Sequence, residues 1–203
     1  MNDRLSRIQQ KENDFLVGRD REMERYLRFL TGEPLSDKNI WNIFGTGGVG
    51  KSTLLDMMRR MSIQQDSAFL YLDSRDFRHS PVEVCNRLLQ QCSPELSVQC
   101  IGESSLTEAS LRAIKEISCN TRVTIAFDTY EEMDDLDPWL REQLIQWLPD
   151  QVLVILAGRN PLKGPWRSLR LGGNESSASP SVLSIASSRM PIYANAESLP
   201  RIN

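Results

Sequence analysis

Eight consecutive residues constrain this chain more than any others. Gly45-Thr46-Gly47-Gly48-Val49-Gly50-Lys51-Ser52 fits the Walker A pattern, G-x-x-x-x-G-K-[ST]. The context fits as well. Residues 39–44 (NIWNIF) form a β-rich run before it, and residues 51–61 read as a helix with Leu54, Leu55, Met58 and Met61 available to a core. The glycines let the backbone wrap an anion and turn several N–H groups inward. The helix that follows adds the partial positive charge of its N-terminus. In such a loop Lys51 reaches the β- and γ-phosphates, Ser52 ligates Mg²⁺, and Thr53 lies near the α-phosphate. The bland alternative is a glycine-rich turn that binds nothing. Against it, four glycines, the lysine and the hydroxyl fall in place together.

The rest of the chain alternates in the manner such a loop requires. Met23, Tyr26, Leu27 and Leu30 repeat with a 3.6-residue period after Asp20, an N-cap candidate, and Gly32 and Pro34 close that helix. Residues 67–73 (SAFLYLD) read as a strand. Ser80-Pro81-Val82-Glu83 opens a helix as a capping box with proline in its first turn. Leu106, Leu111, Ile114 and Ile117 mark a helix over 105–118, and residues 122–127 form a buried strand that ends on Asp128. Asp137-Pro138 starts a helix that runs to Trp147. Residues 151–157 (QVLVILA) are the most apolar strand, and 166–171 (WRSLRL) read as a short edge strand. Such alternation predicts an α/β, three-layer P-loop domain: a parallel sheet with helices on both faces and ligands at the carboxyl ends of its strands.

Two strand ends carry further chemistry. Asp128 closes VTIAFD and is the expected second oxygen ligand of Mg²⁺; Asp73, which closes FLYLD, is its competitor. Asp128 has the more apolar strand and is followed by Glu131, Glu132, Asp134 and Asp135. Glu131 is the candidate for polarising an attacking water, whereas Asp134 and Asp135 read as a solvated cap. Arg159 follows Ile155-Leu156-Ala157-Gly158 and is placed to sense or balance a γ-phosphate; its alternative is an exposed loop arginine before Pro161.

Composition excludes other classes. The 203 residues are 40% apolar and 25% charged, unlike a disordered or fibrous chain, and the formal net charge of −3 gives no global attraction for nucleic acid. Four cysteines (Cys85, Cys92, Cys100 and Cys119) form no C-x-x-C pair, and His79 is the one histidine, so no zinc site is expected. The N-terminus MNDRLSRIQQKEND has no apolar core of a signal peptide, and no apolar run approaches the ~20 residues of a membrane span. A cytoplasmic chain with reduced thiols, no membrane association and no direct nucleic-acid signal is the expectation. Trp41, Trp139, Trp147 and Trp166 are spread over different elements and read as packing residues.

In combination these features resemble the STAND class of P-loop ATPases, in the AAA-like division. Phe15-Leu16-Val17-Gly18-Arg19-Asp20-Arg21-Glu22-Met23 is similar to the FVGRE-x-E box that opens the class, with Asp20 in place of the usual glutamate. Gly45–Thr53, the Asp128-Thr129-Tyr130-Glu131 run and the strand ending in Arg159 follow in the expected order. The resemblance spans residues 15–171 and implies a sheet order of 5-1-4-3-2. It also implies ATP or ADP as ligand with Mg²⁺, and Val17, Gly18 and Arg19 near the adenine. The absence of an Asn-Lys-x-Asp element agrees with adenine over guanine. It implies a nucleotide-driven switch, with a protein partner or self-association as its readout. The class carries a helical and a winged-helix domain after this core, and the chain contains neither pattern. Residues 1–14 read as a flexible N-terminus. Residues 172–203, rich in serine and without periodicity, read as disordered. Two expectations stand for that end of the chain: a natural flexible tail, or a truncation that removed the switch domains.

Overall fold

Five parallel strands form one sheet in the computed structural model of the chain, which describes residues 19–33, 39–76, 79–92, 103–168 and 181–184. They are β1 (Ile40–Phe44), β2 (Ala68–Asp73), β3 (Val123–Asp128), β4 (Val152–Gly158) and β5 (Ser181–Ser184). The spatial order is β2-β3-β4-β1-β5, which read from the opposite edge is the expected 5-1-4-3-2. Phe44 lies beside Gly158 and Asp73 beside Asp128, so these carboxyl ends finish at one level.

The period-two alternation of the strands sets three layers. Val123, Ile125, Phe127, Val152, Val154 and Leu156 face one side. That face is covered by α3 (Pro81–Cys92), α4 (Glu103–Ser118) and a helical segment over 130–147. Trp41, Ile43, Ala126, Leu153, Ile155 and Ala157 face the other side. There they meet α1 (Asp20–Leu30) and α2 (Lys51–Gln64) through Tyr26, Phe29, Leu54, Leu55 and Met58. β4 is buried along its whole length, which is why its sequence shows no polar alternation. Each such leucine or isoleucine contributes about 1.5–3 kcal/mol on burial.

Two polar side chains inside this core are paired, whereas the buried Trp41 indole N–H has no hydrogen-bond partner. The Tyr26 hydroxyl joins Ser62 of α2 and Thr124 of β3, the latter at 2.8 Å. Asn42 on β1 donates to the Leu156 carbonyl (3.1 Å) and accepts from the Leu162 N–H (3.0 Å), fixing the chain after β4. At the outer edge, β2 presents the main chain of Tyr71. The Gln91 side-chain amide of α3 accepts from the Tyr71 N–H (2.8 Å) and donates to its carbonyl (3.1 Å), as a neighbouring strand does.

Several local expectations change. The predicted edge strand at 166–171 does not begin: Gly164–Ser168 is a 3₁₀ turn, because the Trp166 indole is buried against Tyr130 and bonded to Asp137. The position beside β1 belongs instead to Ser181–Ser184, inside the segment expected to be disordered. The other residues of 172–203, and residues 1–14, lie outside the described residues. The predicted helix at 137–147 divides into an α turn (Asp137–Trp139), a π segment (Leu140–Leu144) and a 3₁₀ turn (Ile145–Trp147). Leu140, Leu144 and the adjacent Ile145 are all fully buried, and a widened turn is how neighbouring side chains reach one core. The segment leaves Trp147 66% exposed, against the expectation that it packs. Asp20 is the first helical residue and not the cap; Arg19 holds the cap position without a side-chain cap bond.

Candidate functional site

The phosphate-loop candidate leaves β1 after Phe44 and enters α2 at Lys51. Gly48 and Gly50 have φ of 82° and 86°, and a Cβ at Gly47, Gly48 or Gly50 meets no atom within 4 Å. These glycines therefore serve backbone conformation and open approach, not packing. Gly50 stands at the cap position of α2 with no side-chain cap bond, and the first turn has no acidic residue. The positive end of that helix is left uncompensated. Lys51 folds back over the loop, its Nζ donating to the carbonyls of Gly45 (2.7 Å) and Thr46 (3.1 Å). The Arg19 guanidinium donates to the Val49 carbonyl at 3.2 Å and pairs with Glu22 at 3.6 Å. Thr53 is half-buried in the first turn of α2. Val17 and Gly18, the other two residues assigned near the adenine, lie outside the described residues.

Ser52 and Asp128 meet although 76 residues separate them: the hydroxyl donates to Oδ2 at 2.6 Å. Asp128 is nearly fully buried, and both its carboxylate oxygens accept hydrogen bonds. Oδ2 also accepts from the Tyr71 hydroxyl (2.9 Å), and Oδ1 accepts from the Thr129 N–H (2.8 Å). Its carbonyl accepts from the Ser74 hydroxyl at 2.8 Å. Thr129 takes a left-handed conformation, φ 56°, a costly state for a β-branched residue. The chain thereby turns sharply just after the carboxylate. A hydroxyl and a carboxylate at this spacing suit a hard cation such as Mg²⁺, which takes oxygen ligands. Asp73, the competing carboxylate, is occupied by Arg75, whose side chain approaches to 2.6 Å. That hydrogen bond holds Asp73 below the usual carboxylate range.

Glu131 and Arg159 converge, but on each other. The Arg159 side chain lies 3.0 Å from Glu131 Oε1, and its main-chain N–H donates to Oε2, also at 3.0 Å. Gly158 admits the carboxylate; a Cβ there would stand 3.0 Å from Oε2. The Gly158 carbonyl in turn accepts from the Gly45 N–H at 3.2 Å, so the Glu131–Arg159 pair borders the start of the loop. Asp134 and Asp135 are exposed, as a solvated cap would be.

Two cavities flank this line of residues. One, of about 240 Å³, is bordered by Tyr130, Glu131, Asp137, Arg159, Lys163 and Trp166. Asp137 forms its polar floor, accepting from the Tyr130 hydroxyl and from the Trp166 indole (2.6 Å). Burial, reinforced by Asp137, pushes the Tyr130 phenol far above its ordinary range. The other, of about 530 Å³, is bordered by Ser52, Asp56, Arg59, Phe69, Tyr71 and Gln91. Sequence reading missed Tyr71, Asn42, Thr129 and Asp137. The one available signal was a period-two relation that puts Tyr71 on the same face of β2 as Asp73.

No protein-family model matches the sequence, and no curated protein matches it. Similar folds occur among solved structures. Cdc6p from Pyrobaculum aerophilum aligns with a TM-score of 0.54 at 14% identity, over 71% of this chain and 40% of that one. The Aeropyrum pernix ORC1 protein in complex with DNA gives 0.58 at 14% identity, over 83% and 45%. Drosophila ORC bound to DNA gives 0.57 at 17% identity, over 86% and 44%. The chain thus spans less than half the length of each of these proteins. At such identities the likeness concerns the fold alone, a parallel α/β sheet covered by helices.

Proposed function

We propose that this chain binds Mg-ATP and Mg-ADP as the nucleotide-binding core of a STAND-type regulatory ATPase, with weak turnover or none by itself. The observation that carries the reading is the Ser52–Asp128 contact at 2.6 Å beneath a glycine loop that opens an uncapped helix. In this reading the first-turn N–H groups of α2 hold the phosphates. Lys51 leaves its two loop carbonyls to meet the β- and γ-oxygens. Ser52 and Asp128 would hold Mg²⁺, which would supply positive charge against the phosphates. Arg19 fixes the loop from outside through Val49. Glu131 and Arg159 each have a partner already, which agrees with slow hydrolysis: neither is available for water or phosphate until their ion pair opens.

A second reading is an AAA-type ATPase that acts on a protein or nucleic-acid partner. Its support is that two of the structural neighbours are complexes with DNA. An arginine finger from another subunit would then complete the site. Hydrolysis that rises steeply with protein concentration favours this reading over the first.

Calorimetric titration of the wild type and Lys51→Ala with Mg-ATP and Mg-ADP tests the common premise. The wild type is expected to bind, and the variant to bind at least tenfold more weakly. Equal affinity of the two proteins refutes it.

A further inference from the structure

We infer that Tyr71 is a positioning residue for Mg²⁺, holding Asp128 in the orientation that the ion requires; the inference rests on the nucleotide-binding reading above.

Three donors converge on the Asp128 carboxylate. Asp128 Oδ2 receives two hydroxyl donors, Ser52 at 2.6 Å and Tyr71 at 2.9 Å, and Oδ1 receives the Thr129 N–H at 2.8 Å. A carboxylate offers about four lone-pair sites, so one remains, on Oδ1. That leaves a single direction for the ion or for a water bound to it. The Ser52 hydroxyl donates its proton to Oδ2 and keeps lone pairs of its own for the metal. Without Tyr71 a second lone pair is free on Oδ2, and the side chain loses one of its three tethers.

Tyr71 is placed for this and for little else at that point. It stands on β2, the edge strand, two residues before Asp73, and its ring faces α2. Its main chain is clamped by Gln91 on both polar atoms, so the ring is aimed from a fixed backbone. The ring also borders the 530 Å³ cavity that reaches Ser52. Groups that orient a metal ligand typically contribute 10–100-fold in metal affinity.

The test uses the full chain and Tyr71→Phe, which keeps the ring and removes only the donor. Mn²⁺ affinity of the nucleotide-bound protein is read by electron paramagnetic resonance, and ADP affinity is read separately in EDTA. The expected result is about tenfold weaker Mn²⁺ binding and an unchanged ADP affinity in EDTA. In an Asp128→Asn background the same substitution is expected to have no further effect on Mn²⁺, a coupling that a purely structural role would not produce. Undiminished Mn²⁺ affinity in a nucleotide-bound Tyr71→Phe protein overturns the inference alone. Equal losses in the wild-type and Asp128→Asn backgrounds also overturn it. A wild type that binds no nucleotide with or without metal overturns the parent reading and this inference together.

Discussion

Tyr26 joins three elements that frame the candidate site, and replacing it by phenylalanine has an effect whose size depends on pH. The side chain is fully buried, and its hydroxyl links α1 to Ser62 at the end of α2 and to Thr124 on β3, the strand that carries Asp128. Ser62 keeps the Met58 carbonyl as acceptor at 3.1 Å, so it is partly compensated. Thr124 is fully buried and loses the Tyr26 hydroxyl. A buried group left without its partner costs about 1–3 kcal/mol, so Tyr26→Phe is expected to lose about 2 kcal/mol at pH 7. Burial raises the Tyr26 phenol from 10.0 to about 12, even though both hydrogen bonds act to lower it. The folded chain therefore holds the proton after the unfolded chain has released it. The stabilisation is complete below pH 10 and is lost as pH rises from 10 to 12. Linkage puts that loss at about 1.4 kcal/mol by pH 11. Phenylalanine has nothing to titrate. The gap between the proteins should shrink from about 2 to about 0.6 kcal/mol between pH 7 and pH 11. Urea unfolding of both proteins at pH 7, 10 and 11, followed by circular dichroism, measures it. A gap that stays constant across this range refutes the burial argument, and equal stability at pH 7 refutes the hydrogen-bond argument.

Other perturbations follow the same logic. Gly158→Ala drives a methyl to 3.0 Å from Glu131 Oε2. The carboxylate, the far end of a flexible chain, should move and release the Arg159 N–H, at a cost of about 1 kcal/mol in urea unfolding; an unmoved Glu131 in a crystal structure contradicts this. Asp137→Ala leaves the Tyr130 hydroxyl and the buried Trp166 indole without their shared acceptor. A loss of about 3 kcal/mol is expected, together with a shift in tryptophan emission; a loss below about 0.5 kcal/mol would show that water replaces the carboxylate without penalty.

The legible part of this molecule was the part written in local periodicity. β4 announces itself because a strand buried on both faces must be apolar throughout, and the glycine loop because few chains place lysine and a hydroxyl at that spacing. The sheet order followed from the resemblance and matches the observed one. What stayed hidden depends on partners far away in the chain. Tyr71 acquires its role from a carboxylate 57 residues away, Tyr26 from a threonine 98 away and Asn42 from an amide 120 away. Ser181–Ser184 has four residues and no alternation; only pairing with β1 makes it a strand. The break at Leu140–Leu144 obeys a core that needs two adjacent side chains, a demand that a helical wheel does not express.

The Gln91 amide on the edge of β2 has a consequence for how copies of this molecule can approach one another. By taking both outward polar atoms of Tyr71, it occupies the rung on which a foreign strand would start to pair. That rung is closed to extension of the sheet from one molecule into the next. An encounter there is made through side chains, whose fit can discriminate among partners, and not through main-chain hydrogen bonding, which any extended peptide can offer. A single glutamine thereby acts as a guard against indiscriminate polymerisation at the side of the molecule closest to its most polar strand ends.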